Sequence, residues 1–238
     1  MDPEQAKRIA NQCWQSGTAA VNKKNFDYAV EQFSTAAKLV PDNLVYRQTL
    51  RGAEYAMYDN NGSGARMSGA KLMGVRGRVK KARGKEDWKT MNEEAESGLK
   101  VNPWDAQLEA WVGEACVNLG FQEIGIFAYS NAVKNDKENV TYLKALAELY
   151  EGRHEYDAAI NLWEKIHQLN PDDGEARSKQ TQLQAEKTTY RGGYEDAKST
   201  KDVKAGQNAY DDKKSAGLPN DAIGPGDDPE SDLKRQIR

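Results

Sequence analysis

The sequence predicts an all-α fold built from repeats, and three observations carry that expectation. Pro103 and Pro171 each close a helical-looking run, in the settings VNPW and LNPD, and their spacing is twice a repeat period of about 34. The midpoint of that interval, Lys137 in NDKEN, occupies the same place relative to its neighbours. Residue sizes also recur at fixed offsets. Gly113, Gly125, Tyr129 and Ala132 before Lys137 correspond to Ala147, Ala159, Trp163 and Ile166 before Pro171, and to Gly17, Ala29, Phe33 and Ala36 before Pro41. Small side chains at these offsets let two helices approach closely, and the aromatic fills the gap against the next unit. No unit of this size buries its apolar face alone, so three or more must stack.

Taken in order, the first copy ends at Pro41. The next interval breaks the phase, because the spacing from Pro41 to Pro103 is neither one period nor two. Within it, NLVYRQTLRGAEYAMY (43–58) reads as a helix and DNNGSGARMSG (59–69) as a flexible break. KLMGVRGRVKKARGK (71–85) reads as a second helix and EDWKTMNEEAESGLKV (86–101) as a degenerate closing helix. Whether 43–58 and 71–85 form one interrupted element or two is open at this level. The expectation is therefore about four repeats over residues 1–189, the second interrupted by a basic insertion at 59–85. Residues 174–188 read as a capping helix, with Ala176 and Leu183 two turns apart on one thin apolar stripe. The last segment, 190–238, is rich in Gly, Pro and polar residues and is expected to be disordered, with DLKRQIR at its end resembling the start of another helix.

These residues resemble the tetratricopeptide repeat (TPR) family. FDYAVEQFSTAAKLVPDN and YDAAINLWEKIHQLNPDD match the second helix of its unit, and Leu146, Ala147 and Tyr150 match the first, so the resemblance covers about residues 8–172. It implies antiparallel helix pairs in a right-handed superhelix, whose concave groove is formed mainly by the first helix of each pair. It also implies a non-catalytic scaffold or adaptor for a peptide or helix of another protein. The positions that map to the groove are Gln107, Trp111, Glu114 and Asn118 in the third unit and Thr141, Lys144, Glu148 and Glu151 in the fourth. Three carboxylates against one lysine favour a basic or helical ligand, and Trp111 is the better anchor, the alternative being that its ring is simply core. The family's chaperone-binding members clamp a C-terminal carboxylate with Lys, Asn and Arg. Here Trp14, Thr18, Ala110, Glu114, Ala145 and Glu148 stand at those positions, and a glutamate lining would repel such a ligand.

A second candidate surface is electrostatic. Between Asp59 and Glu86 lie eight basic residues and no acidic one, and on a helix Leu72, Val75, Val79 and Ala82 share one face. Arg76, Arg78, Lys80, Lys81 and Arg83 would then project outward as a basic surface suited to nucleic acid, anionic lipid or an acidic protein. The competing assignment pairs them with the glutamates of the EEAE run at Glu93, Glu94 and Glu96.

Composition narrows the rest. The 238 residues are 30% charged, with mean hydropathy −0.89 and net charge −3, so attraction to polyanions has to come from local clustering. No stretch is apolar enough to span a membrane, and MDPEQAKRIANQCW has no secretory pattern, so the expected compartment is the cytoplasm. Sequons at Asn61 and Asn139 then read as chance matches. Cys13 and Cys116 have no partner spacing for zinc or redox chemistry. No GxxxxGK[ST], GxSxG or HExxH occurs, so neither an enzyme nor a cofactor is expected.

Overall fold

Asp105, Asn139 and Asp173 stand one repeat period apart, and each accepts a hydrogen bond from the backbone N–H three positions on: Leu108 at 3.0 Å, Tyr142 at 3.4 Å and Ala176 at 3.1 Å. This is the side-chain cap that satisfies an otherwise orphaned donor at a helix start. The turn inside each pair repeats as well. Glu86, Gly120 and His154, again one period apart, all adopt left-handed backbone with φ of 55°, 84° and 59°. The period visible in residue sizes is thus a period in backbone geometry.

The computed structural model describes residues 1–192. Its helices are α1 (Pro3–Asn22), α2 (Phe26–Leu39), α3 (Leu44–Met57), α4 (Ser68–Arg83), α5 (Trp88–Leu99), α6 (Ala106–Asn118), α7 (Gln122–Asn135), α8 (Val140–Gly152), α9 (Tyr156–Leu169) and α10 (Gly174–Gly192). No strand occurs among the described residues. The expected disorder of 190–238 and the helix expected at its end fall almost entirely outside them. Two compact units result, one from Met1 to Lys137 and one beginning at Glu138.

In the first unit, α1 pairs with α2, α4 with α5 and α6 with α7. The repeat's small positions are used as the offsets predicted. A Cβ on Gly17 would lie 2.5 Å from the Phe33 ring, and one on Gly113 would lie 2.7 Å from the Tyr129 ring. Leu72, Val75, Val79 and Ala82 of α4 are buried, as their common face requires, in one core with Met91, Ala95 and Leu99 of α5 and Leu108 and Val112 of α6. A separate core joins Ala29, Val30 and Phe33 of α2 to Leu50 and Ala53 of α3.

Helix α3 resolves the question left open by the interrupted interval, since 43–58 and 71–85 are two distinct helices. Helix α4 pairs with α5 and carries the repeat's grid, whereas α3 packs on α2 and has no hairpin partner of its own. The segment expected as a flexible break is instead pinned. Ala65 donates its N–H to the Val101 carbonyl at 2.8 Å, and Tyr58 Oη donates to the Lys100 carbonyl at 2.9 Å. Asn61 Oδ1 accepts from the N–H groups of Ser63 and Gly64. Gly64 sits at φ 72°, and a Cβ there would fall 2.6 Å from the Asn102 backbone, so the close crossing requires glycine.

In the second unit α8 pairs with α9, and α10 packs on α9. Ala176 and Leu183 are buried, which is the stripe expected of the closing helix.

Candidate functional site

Gln107, Trp111, Glu114 and Asn118 lie at i, i+4, i+7 and i+11 of α6 and therefore share one face. Three of them, Gln107, Trp111 and Glu114, line a cleft with Lys80 and Arg83 of α4, Glu86 of the following turn and Trp88 of α5. The two surfaces considered separately in the sequence meet here. Trp111 is 7% exposed, so its ring is chiefly part of the α4–α7 core, with one edge in the cleft. Trp88 is half-buried beside it. Asn118 is exposed and donates to the carbonyl of Glu114.

The three arginines of α4 are each paired with a carboxylate, whereas its lysines are not among the ion pairs of the described residues. Arg76 Nη2 lies 2.6 Å from Asp105 Oδ2, so the carboxylate that caps α6 also ties α4 to it. Arg78 Nε lies 2.8 Å from Glu94, and Arg83 Nε lies 2.8 Å from Glu114. Lys80 and Lys81 are exposed and make no ion pair among the described residues. The intramolecular alternative thus accounts for Arg78 through Glu94. Glu96 of the same run points elsewhere.

On α8, Thr141 and Glu148 are exposed, but the other two positions are engaged by α10 and the turn that leads into it. Lys144 Nζ lies 2.7 Å from Glu175 and 2.9 Å from Asp173, and these hydrogen bonds raise its pKa above the ordinary lysine value. Glu151 accepts from Lys179 at 2.7 Å and from the Trp163 indole N–H. Lys144 and Lys179 each stand 5.9 Å from the centroid of the Trp163 ring, a cation–π distance.

Sequence reasoning missed a buried ionic cluster between α3, α5 and α6. Arg51, 2% exposed, lies 2.7 Å from Glu109 and 3.1 Å from Glu96, and it also contacts Glu54. Arg47 Nη1 donates to Glu96 at 2.6 Å. Burial pushes Glu109 up to about 8, an effect that Arg51 only partly offsets. Glu54 rises to about 7 for the same reason. Glu96 goes the other way: desolvation alone would raise it, but Arg51 and Arg47 together outweigh that and hold it below the usual carboxylate range. The signal was present in the repeat grid, since Glu109 occupies the position where the next copy has the buried Leu143. Nearby, burial pushes the Cys116 thiol up to about 12, which keeps it from forming a thiolate. Among the described residues no group of three or more His, Cys, Asp or Glu is arranged to hold a metal ion. No described helix is long and apolar enough to cross a membrane.

No known protein-family model matches the chain, and no curated protein matches it. Among solved structures, the TPR domain of P58(IPK) aligns with a TM-score of 0.50 at 14% identity, over 88% of this chain. The fold is a TPR fold. The aligned part is 55% of the P58(IPK) chain, so this chain spans about half of that structure. The first TPR of Spaghetti (RPAP3), bound to the HSP90 peptide SRMEEVD, aligns at a TM-score of 0.46 and 13% identity, over 49% of this chain and 93% of that one. The TPR2AB domain of yeast Sti1, in a complex with pHSP90, aligns at 0.45 and 17% identity, over 77% and 71%. At these identities the likeness concerns the fold.

Proposed function

We propose that the chain is a non-catalytic interaction scaffold that holds a segment of a partner protein in the α4–α6 cleft. The observation that carries this reading is the cleft itself, where the half-buried Trp88 and the small accessible part of Trp111 sit inside a rim of Lys80 and Arg83 on α4, Glu86 in the turn after it and Glu114 on α6. Aromatic side chains in a partly desolvated cleft are the usual anchors of an interface, while rim charges of both signs set partner orientation and association rate. The case for a basic partner rested on three carboxylates. Two of them, Glu114 and Glu151, already have cations at 2.8 and 2.7 Å, so apolar anchoring carries more of the reading than net charge.

The reading that α4 serves nucleic acid or an anionic surface has less support. Arg76, Arg78 and Arg83 would each have to leave a carboxylate to reach a phosphate, which leaves the exposed Lys71, Lys80 and Lys81 as the uncommitted cations of α4. The test is affinity capture on the full chain, with and without nuclease and at low and moderate salt, using wild type and Gln107→Arg with Lys80→Glu. Specific proteins that persist through nuclease and salt, and that the double variant loses, are the expected result. Loss of every partner on nuclease treatment would contradict the scaffold reading and favour the basic helix.

A further inference from the structure

Residues 60–85 carry eight basic side chains and no acidic one, and the structure divides them into two groups. Arg76, Arg78 and Arg83 are neutralised by Asp105, Glu94 and Glu114. The lysines around the mouth of the α4–α6 cleft are not. Lys80 lines the cleft, Lys81 follows it on the same helix, and Lys85 lies between Gly84 and Glu86, which also line it. All three are exposed and make no ion pair among the described residues. The carboxylates beside them in the chain are Glu86, which is exposed, and Asp87, which is occupied in capping α5 through the Thr90 N–H at 3.1 Å. With Arg83 and Glu114 cancelling, this rim keeps a surplus of accessible positive charge next to the half-buried Trp88.

The chain also carries the complementary segment. Between Lys214 and Lys234 there is no basic residue, and Asp221, Asp227, Asp228, Glu230 and Asp232 fall within twelve positions, with Ile223 as the branched apolar side chain among them. Acids at that density beside one apolar residue match exposed lysines beside a tryptophan. Nucleic acid is matched less well, because the arginines are committed and a few lysines neutralise few phosphates. Residues 193–220 separate α10 from this segment, and a chain of that length can span up to about 90 Å. A segment on the same chain needs no bimolecular encounter, so a contact of about millimolar strength is enough to populate the docked state.

We infer that segment 221–232 of the same chain docks on the lysine side of the α4–α6 cleft, with Ile223 beside Trp88 and its carboxylates facing Lys80, Lys81 and Lys85, and that it competes there with the partner. The competition rests on the reading of the cleft as the partner's site, whereas the docking does not. A partner then has to displace the segment, which sets a threshold of affinity for entry.

The test uses the isotope-labelled full chain with Cys13→Ser and a nitroxide attached at Gly226→Cys, the native Cys116 being buried. Paramagnetic broadening of the Lys80, Lys81, Lys85 and Trp88 amides is expected. It is lost at high salt, and lost with Asp221→Asn, Asp227→Asn and Asp228→Asn together. Lys81→Glu with Lys85→Glu, both at exposed positions, abolishes it as well, and Asp227→Lys with Asp228→Lys on that background restores it. Broadening that spares α4 or survives these changes would overturn the inference. So would broadening seen only between differently labelled copies, which would assign the site to a second copy's segment. In affinity capture, the chain with Asp221, Asp227 and Asp228 neutralised is expected to retain several times more partner than wild type. Unchanged capture despite intramolecular docking would overturn the competition and count against the cleft as the partner's site, whereas capture through the cleft without docking would overturn this inference alone.

Discussion

Helices α6 and α8 occupy equivalent places in successive copies of the repeat, yet they differ at the positions that meet their neighbours. Glu109 on α6 corresponds to Leu143 on α8, and both are fully buried. Gly113 corresponds to Ala147, and Gly120 after α6 corresponds to His154 after α8. The exposed row also diverges. On α6, Gln107 and Glu114 open into a cleft with α4, whereas their counterparts on α8, Thr141 and Glu148, are exposed, and the ion pairs of α8 to Asp173, Glu175 and Lys179 come from Lys144 and Glu151, where α6 has Ala110 and Val117. One repeat register therefore supports two outcomes, and the residue that departs from the register shows which neighbour imposed it.

The largest break in that comparison comes from the ionic cluster that only α6 carries. Arg51→Met leaves Glu54, Glu96 and Glu109 without their shared cation and is expected to cost about 3–5 kcal/mol, read by urea unfolding followed by circular dichroism. A loss below about 1 kcal/mol would mean the glutamates find water and the cluster is not sealed.

The same cluster gives α6 a pH dependence that Leu143 cannot give α8. Glu109 rises from its ordinary 4.5 to about 8 in the folded chain. Between those values the native state keeps a proton that the unfolded chain has lost, so stability falls as pH rises. The contribution is fully present below 4.5 and gone once pH passes about 8, with Glu54 acting the same way up to about 7. The slope is at most about 1.4 kcal/mol per pH unit for each group. Glu96, held low, works oppositely and only at acid pH. Unfolding midpoints from pH 5 to 8.5 should show the decline, and Glu109→Gln, which mimics the protonated acid, should flatten it.

Smaller effects test the close approach. Gly113→Ala pushes a Cβ to 2.7 Å from the Tyr129 ring, and the overpacking is expected to cost about 1–3 kcal/mol. Ala147→Gly, its counterpart, loses about 0.5–1 kcal/mol through backbone entropy. Thermal unfolding of both variants would rank them, and equal losses would mean α6 does not need its glycine. The turns give the smallest contrast. Gly120→Ala should destabilise by about 1 kcal/mol at a left-handed position, whereas His154→Gly should be neutral or slightly stabilising.

What the sequence made legible was whatever the repeat dictates. The size pattern at Gly113, Tyr129, Ala147 and Trp163 and the buried face of α4 at Leu72, Val75, Val79 and Ala82 follow from helix geometry and close packing, which are local and periodic. The pairing of Arg78 with Glu94 was one of the alternatives posed by charge run against charge run. What stayed hidden is non-local and aperiodic. Arg51 meets Glu96 and Glu109 across intervals longer than a repeat, which no offset reveals. The segment 59–69 looked flexible because its Gly and Asn content permits many backbones, and the contacts to Val101 and Asn102 that select one lie far along the chain. Lys144 and Glu151 were assigned to a groove by their place in the repeat, since helical spacing says nothing about which face α10 would engage.

The most direct measurement places a photocrosslinking residue at Gln107 and, in a separate variant, at Thr141, two exposed sites at equivalent repeat positions. The account predicts one defined protein partner crosslinked from Gln107 and little or none from Thr141. Crosslinking from Thr141 alone, or from both equally, would contradict the claim that the α4–α6 cleft is where the partner sits.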